Sequence, residues 1–395
     1  MLNCMFNYHQ AVQKVISTAK QKIITLPITL SLNYTLASSI LAKKDNPSFH
    51  NSLLDGYAVK SKDVRPGKLL KIIGSISAGN PKKISYQKNS CIQIATGCPI
   101  TLPYDSMIPY EQIIQTGNYI QSKIHIKKFD HVRKQGTDYK KNDIIAPKGK
   151  VIQAQDILAA KTLGISSVKV YQKPKIILFC SGDEISENTK DPKKIITGMS
   201  EYIQSFQHIY NFEFEYLGIV KDNKKDLQQI YHQLSLSNTN TIILSTGGVS
   251  AGHKDFIPSM LKQHKYKILF HKILMQPGRP TLFATKKNNY YFGLPGNPIS
   301  GIVGFHFLVL PLIQTIQNKK RSYWNTAKLN HNLPKNKKLT QFARGLVTNG
   351  AITILPGQES YKLSTLVKAN AWVMLDQTKS LIKRGEQVKY LPYEN

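Results

Sequence analysis

Between residues 174 and 320, short apolar runs alternate with helix-like runs, and this alternation restricts the fold more than any other feature of the chain. KIILFC (175–180) reads as a strand, EYIQSFQHIY (201–210) as a helix and FEFEYLGIV (212–220) as a strand. KKDLQQIYHQLSL (224–236) is helix-like, TIILST (241–246) a strand and DFIPSMLKQH (255–264) a helix. KILFHKILM (267–275) and YYFGL (290–294) follow as strands, and ISGIVGFHFLVLPLIQTI (299–316) as a long apolar helix. Strand–helix alternation at this spacing predicts a doubly wound α/β sheet. Ligands of such sheets sit at the carboxyl ends of the strands. Three loops fall there: SGDE (181–184), STGGVSAGHKD (245–255) and GLPGNPIS (293–300).

A chain of 395 residues exceeds one ordinary core, so further domains are expected. Residues 8–24 and 33–44 read as helices, and with 136–172, where DILAAKTLGI is a helix, they predict a discontinuous helical domain spanning 8–45 and 136–172. Between its halves, residues 46–135 carry short β-like runs (KLLKIIGSI, CIQIAT, SMIPYEQII, YIQSKIHI) broken by Gly, Pro and Asn, which predicts a β-rich insert. The α/β domain then spans 173–320 and a terminal β domain 321–395, with NKKRSYWNTAKLNHNLPKNKK as a basic linker or edge.

Several classes fall away. The apolar stretch GIVGFHFLVLPLI (301–313) is shorter than the ~20 residues of a span, so it reads as a buried helix. The N-terminus lacks a basic segment followed by an apolar one, so a signal peptide is not expected and the cytoplasm is the expected location. Cys4, Cys91, Cys98 and Cys180 form no close pair and predict neither a zinc site nor a disulfide framework. The net charge of +31 comes from 54 basic and 23 acidic residues. Only Arg65, Arg133, Arg279, Arg321, Arg344 and Arg384 are arginine, the better reader of phosphate and guanine. The charge therefore reads as compositional drift, with no specific nucleic acid partner and no membrane.

The loop motifs carry chemistry that each motif alone leaves open. Gly247, Gly248 and Ser250 could offer backbone N–H groups and a hydroxyl to an anion at a helix start, or form a turn. Asp255 could cap that helix or hold Mg²⁺. Pro295, Gly296, Asn297 and Pro298 make a stiff loop that a ligand can approach, with Ser300 as a helix cap. Arg279, between two prolines in MQPGRPTLF, is a held cation for an oxyanion, or solvated surface. Asp183 and Glu184 could hold a hard cation or favour a helix N-terminus.

Their order is more telling. FHNSLLDGYAV, IATGCPI, VRKQGTDY, KPKIILFCSGDEI, STGGVSAGHKD, MQPGRP, LPGNPIS, GQESYKLSTLVKANAWVML and GEQV, taken together over residues 15–392, resemble the molybdopterin molybdenumtransferase family, which includes the gephyrin E domain. The resemblance implies an elongated, four-part protomer with a molybdopterin-binding α/β domain and a C-terminal β barrel. It implies a homodimer with its cleft between the α/β domain of one subunit and the insert of the other. The implied activity is Mg²⁺-dependent insertion of molybdate into adenylylated molybdopterin with release of AMP; contact with molybdopterin adenylyltransferase is a further expected partnership.

By resemblance, Asp55 and Thr96 lie on the insert's side of the cleft, and Asp55, Asp138 and Glu184 are catalytic. Asp222, Asp255 and Glu184 serve the metal, Pro295 and Pro298 shape the pterin-nucleotide loop, and Arg344 and Ser364 are contacts from the last domain. The chain departs from the family pattern at His50 and His253, where acids are usual, at Gln276, where a lysine is frequent, and at 199–201, which reads MSE. Two other classes remain: an adenylyltransferase, which is a single small domain, and a non-catalytic scaffold binding cofactor intermediates.

Overall fold

The alternating runs of the α/β region form one six-stranded sheet in the order Glu213–Val220, Lys175–Ser181, Thr241–Thr246, Asn289–Leu294, Leu282–Lys286, Lys267–His271. This computed structural model describes residues 5–77, 79, 84–182, 184–187, 194–220, 240–248, 256–321 and 324–393. The first four strands are parallel, and the last two join antiparallel. Strands Thr241–Thr246 and Asn289–Leu294 are buried along their whole length, as central parallel strands covered on both faces must be. Side chains alternate across the sheet. Ile176, Leu178, Ile242, Leu244, Tyr290 and Phe292 enter one core, while Ile177, Phe179, Ile243 and Tyr291 enter another. Helices Tyr8–Ile16, Met199–Ser205 and Pro298–Gly304 contribute to the first, and Phe256–Gln263 to the second. The helix expected at 224–236 lies outside the described residues.

The long apolar run is a helix from Pro298 to Ile316 with a π-helical turn at Phe305–Val309. It is long and apolar enough to cross a membrane, but it is mostly buried in this fold and serves as a core helix. Two strands differ from expectation. KILFHKILM is broken because Lys272 takes φ 72, and Met275–Gln276 pairs instead with Thr340–Gln341. Leu282–Lys286, missing from the alternation pattern, closes a hairpin with Asn289–Leu294.

The last strands make a closed ring: Thr340–Thr348, Ala351–Ile354, Asn325–Leu329, Gln387–Pro392 and Ala371–Leu375, which returns to Thr340–Thr348. Asn349 and Gly350, at φ 50 and 75, form the two-residue turn between Thr340–Thr348 and Ala351–Ile354. The expected basic linker is in part a barrel strand: Ala327 and Leu329 point inward while Lys328 stays exposed. Leu363–Lys368, expected within the β domain, is a short helix.

By contact, the chain divides into two units: Met1–Ile24, Asn33–Ala37 and Lys169–Asn395 form one, and Thr25–Leu32 with Ser38–Val168 the other. The helical reading of 8–45 holds only for Tyr8–Ile16, which Asn7 caps, and whose Ala11, Val12 and Val15 belong to the α/β core. Residues 33–44 form no helix: Thr35 and Ala37 bond to Tyr171 and Lys169, and Ile40–Leu41 pairs with Ile144–Ala146. Long-range backbone partners there override local helix propensity. The second unit holds a six-stranded sheet in the order Ser106–Pro109, Gly56–Val59, Ser90–Ile94, Leu69–Ile76, Tyr119–Ser122, Ile113–Thr116, as the insert's runs predict. Ala154–Thr162 is its α-helix among the described residues.

Candidate active site

The parallel register brings three strand ends side by side, because Cys180 pairs with Thr246 and Thr246 with Leu294. The loops that leave them are packed backbone on backbone. Gly247 donates its N–H to the Leu294 carbonyl at 3.0 Å. At φ 86 it lies so close to the next loop that a Cβ there would sit 2.0 Å from the Ser181 carbonyl oxygen. Only glycine meets both demands. Gly248 follows at φ 64, and a Cβ on Gly296 would lie 3.6 Å from the Gly247 Cα. The Gly247 N–H is used within the fold, so an anion at this strand end would meet the backbone from Gly248 onward. Glu184 is exposed, with its carboxylate folded back over Gly182. Pro295 is buried and anchors its loop, leaving Gly296, Asn297 and Pro298 exposed.

Two expected residues are placed differently. Asn297, not Ser300, occupies the cap position of the apolar helix; Ser300 is buried one turn inside. Arg344, expected as a ligand contact, is 1% exposed. Its guanidinium donates to Gln358 Oε1 and to the carbonyls of Glu359 and Lys362 at 3.0–3.4 Å. Burial lowers its pKa. It tethers the 355–362 loop, whose Ser360 carbonyl accepts the Ile299 N–H at the start of the apolar helix. Arg344 is thereby joined to the strand-end loop through backbone. Ser364 is exposed on the short helix that follows. Arg279 is exposed, as an anion-reading cation requires, and Gln276 is occupied by a hydrogen bond from Gln341. In the MSE segment, Ser200 is buried and bonds Glu201. Asp183, Asp222, Ser250, His253 and Asp255 lie outside the described residues.

On the insert, Asp55 and Thr96 meet directly. The Thr96 N–H and hydroxyl both donate to Asp55 Oδ1, at 2.6 and 3.0 Å. These bonds, the backbone one first, hold the Asp55 carboxyl below its ordinary range. Asp55 borders a cavity of about 380 Å³ shared with Ser75, Ser77, Gln93 and Tyr110. Asp138 accepts from Asn46 Nδ2 at 2.6 Å. Segments 46–55, 96–100 and 131–139 are laced together by Ser52 with Cys98 and Gly97, by Leu53 with His131, and by Asn51–Ser52 pairing with Val132–Arg133. His50 Nδ1 accepts the Gln135 N–H at 2.9 Å, the bond a carboxylate at that position would also take, so the departure from an acid keeps an acceptor. Asp45 and Asn46, which sequence reasoning missed, fasten the same loops: Asp45 accepts from Gln135 Nε2 and from Lys141 N. Their signal was a lone DN before a proline, indistinguishable from a turn. Among the described residues no three acids, histidines or cysteines converge on one metal position.

Three family models match in chain order: "MoeA N-terminal region (domain I and II)" over residues 6–164, "Probable molybdopterin binding domain" over 177–315, and "MoeA C-terminal region (domain IV)" over 326–393. The α/β sheet with its glycine loops is therefore a molybdopterin-binding domain set between an insert-bearing region and a β barrel. A molybdopterin molybdenumtransferase of Haemophilus influenzae is 29% identical over 376 residues, covering 92% of each chain. One from Staphylococcus aureus strain Mu50 is 27% identical over 401 residues, covering 98% of this chain and 95% of the relative. A molybdopterin biosynthesis moea protein from Pyrococcus horikosii, 24% identical, shares the fold with a TM-score of 0.82 over 99% of this chain and all of that one. This chain belongs to the molybdopterin molybdenumtransferase family.

Proposed function

We infer that the chain is an enzyme of molybdenum cofactor biosynthesis that inserts molybdenum into molybdopterin. The observation that carries this reading is the convergence of Ser181, Gly247 and Gly296 at the strand ends, in a chain that spans nearly the full length of transferases of that name. We propose further that the substrates are adenylylated molybdopterin and molybdate, that AMP is released, and that the working unit is a homodimer in contact with molybdopterin adenylyltransferase. The Gly248 backbone N–H, with Ser250, receives the phosphate, while Gly247, whose own N–H is bonded to Leu294, lets the loops pack closely enough to form the site. The 295–298 loop shapes the pterin-nucleotide site, and Arg279 offsets the charge of the two anions.

Asp55, held ionised by Thr96, and Asp138 are the insert's functional acids, and Ser364 is a peripheral contact. A hard divalent cation takes oxygen ligands, and the exposed Glu184 carboxylate fits one such position. Glu184, Asp222 and Asp255 would hold Mg²⁺, which neutralises phosphate and molybdate charge when bound. Incubation with adenylylated molybdopterin, molybdate and Mg²⁺ tests the reading. AMP and molybdenum cofactor appear together with the wild type and are lost with Asp55→Ala; the adenylyltransferase and scaffold alternatives release no AMP.

A further inference from the structure

A second cavity, of about 380 Å³, shares no residue with the strand-end loops. Its volume lies within the ~300–1,000 Å³ typical of small-molecule sites. Tyr8, Tyr210, His306, Phe307 and Trp324 bring aromatic rings to its lining, and Phe342 lies behind Phe307. Phe342, Phe307 and Trp324 form a stack, with centroids 4.0 Å apart for the first pair and 5.6 Å for the second, at interplanar angles of 14° and 16°. The half-buried Trp324 ends that stack. Tyr8 stands edge-on to Phe342 at 4.8 Å and Tyr210 also lines the space. Lys320 and Arg321, both exposed, complete the wall.

Tyr8 is the telling residue. It is 6% exposed, yet its hydroxyl makes no hydrogen bond with any described residue. The Tyr8 side chain borders a cavity large enough for a ligand, and its hydroxyl can meet one there. Burial raises the Tyr8 pKa, and the nearby Arg321 charge pulls the other way, so the two groups address the same space. Aromatic rings, a hydroxyl and two cations around one space suit a ring carrying negative charge.

We propose that this cavity binds a planar organic anion of mononucleotide size, its ring against Trp324, its anionic group at Lys320 and Arg321, and one polar atom on the Tyr8 hydroxyl. The site is separate from the one at the strand ends and does not depend on the reaction proposed there. AMP is the probe, with inorganic phosphate and adenosine as its two halves, and tryptophan emission is the readout. AMP quenches emission saturably, Trp324→Phe abolishes the quench, Arg321→Glu weakens binding about tenfold and Tyr8→Phe about fivefold. Phosphate and adenosine each bind at least about tenfold more weakly than AMP. Molybdenum insertion by Arg321→Glu stays at the wild-type rate, which separates this site from AMP formed in the reaction. The proposal is overturned if Arg321→Glu and Tyr8→Phe, with wild-type circular dichroism, titrate as the wild type does. It fails equally if AMP causes no quench, if Trp324→Phe keeps it, or if phosphate alone competes as well as AMP.

Discussion

Replacing Arg344 by methionine tests whether the last domain touches the ligand or only holds the loop that does. The guanidinium is buried and reaches three acceptors in the 355–362 loop. Two of these keep another donor when it is removed: Gln358 Oε1 retains the Arg344 N–H, and the Glu359 carbonyl retains the Lys362 N–H. The Lys362 carbonyl loses its bond from Arg344, and the loop loses its one charged tether. Bonds to a charged donor contribute about 1.5–3 kcal/mol each, but shared acceptors make them non-additive, so roughly 3 kcal/mol of local stability is expected to go. Amide hydrogen exchange reads this directly, because local opening and not global unfolding is at issue. At about 1.4 kcal/mol per decade, the Leu355 and Ile299 amides should exchange about a hundredfold faster in Arg344→Met. Leu355 bonds the Arg344 carbonyl and Ile299 bonds Ser360, so both report on the loop. Arg344→Lys should fall between, since an ammonium can reach one carbonyl but not fork across several. Unchanged exchange at both amides, together with a tenfold loss of substrate affinity, would refute the tether and restore a direct contact.

Gly247→Ala should abolish molybdenum insertion while leaving the fold intact by circular dichroism, because the added Cβ meets the Ser181 carbonyl and φ 86 is itself strained by about 1 kcal/mol; activity within twofold of wild type would defeat the packing argument. Thr96→Val removes one of the two bonds to Asp55 and leaves the backbone bond, so the Asp55 carboxyl should rise toward its ordinary pKa and the acid limb of the pH–rate profile should move to higher pH; the depressed carboxyl is ionised above its folded value, so the loss appears only as pH falls. Burial lowers the His306 pKa to about 3, so its neutral form is favoured by folding and its contribution is complete above about 6.5 and lost as pH falls toward 3. Between pH 7 and pH 5 this costs about 2 kcal/mol, which His306→Gln should remove from the difference in urea midpoints; an identical pH dependence in the variant would contradict the assignment.

How much of this was legible in the sequence divides by the range of the interactions involved. Asp55, Thr96 and Asp138 could be singled out because short motifs flank them, and Thr96 then lies on Asp55. Asp45 and Asn46 could not, because their partners are about 90 residues away and a turn-like DN carries no trace of them. Likewise nothing local distinguishes an exposed arginine from one buried against loop carbonyls: Arg344 is buried, whereas Arg279, held between prolines, is on the surface.

The sequence by itself determined the α/β alternation, the β insert, the glycine-bearing strand ends and, through their order, the family. Periodicity and turn chemistry act over a few residues, and they are written in the chain. Only the tertiary structure decided that residues 33–44 are extended, that Met275–Gln276 leaves the α/β sheet to join the barrel, and that Trp324, Phe307, Tyr8 and Arg321 enclose one cavity. In each case the backbone partner or the neighbouring ring comes from a distant segment, and pairing with it outweighs local propensity by more than the few tenths of a kcal/mol per residue that propensity supplies.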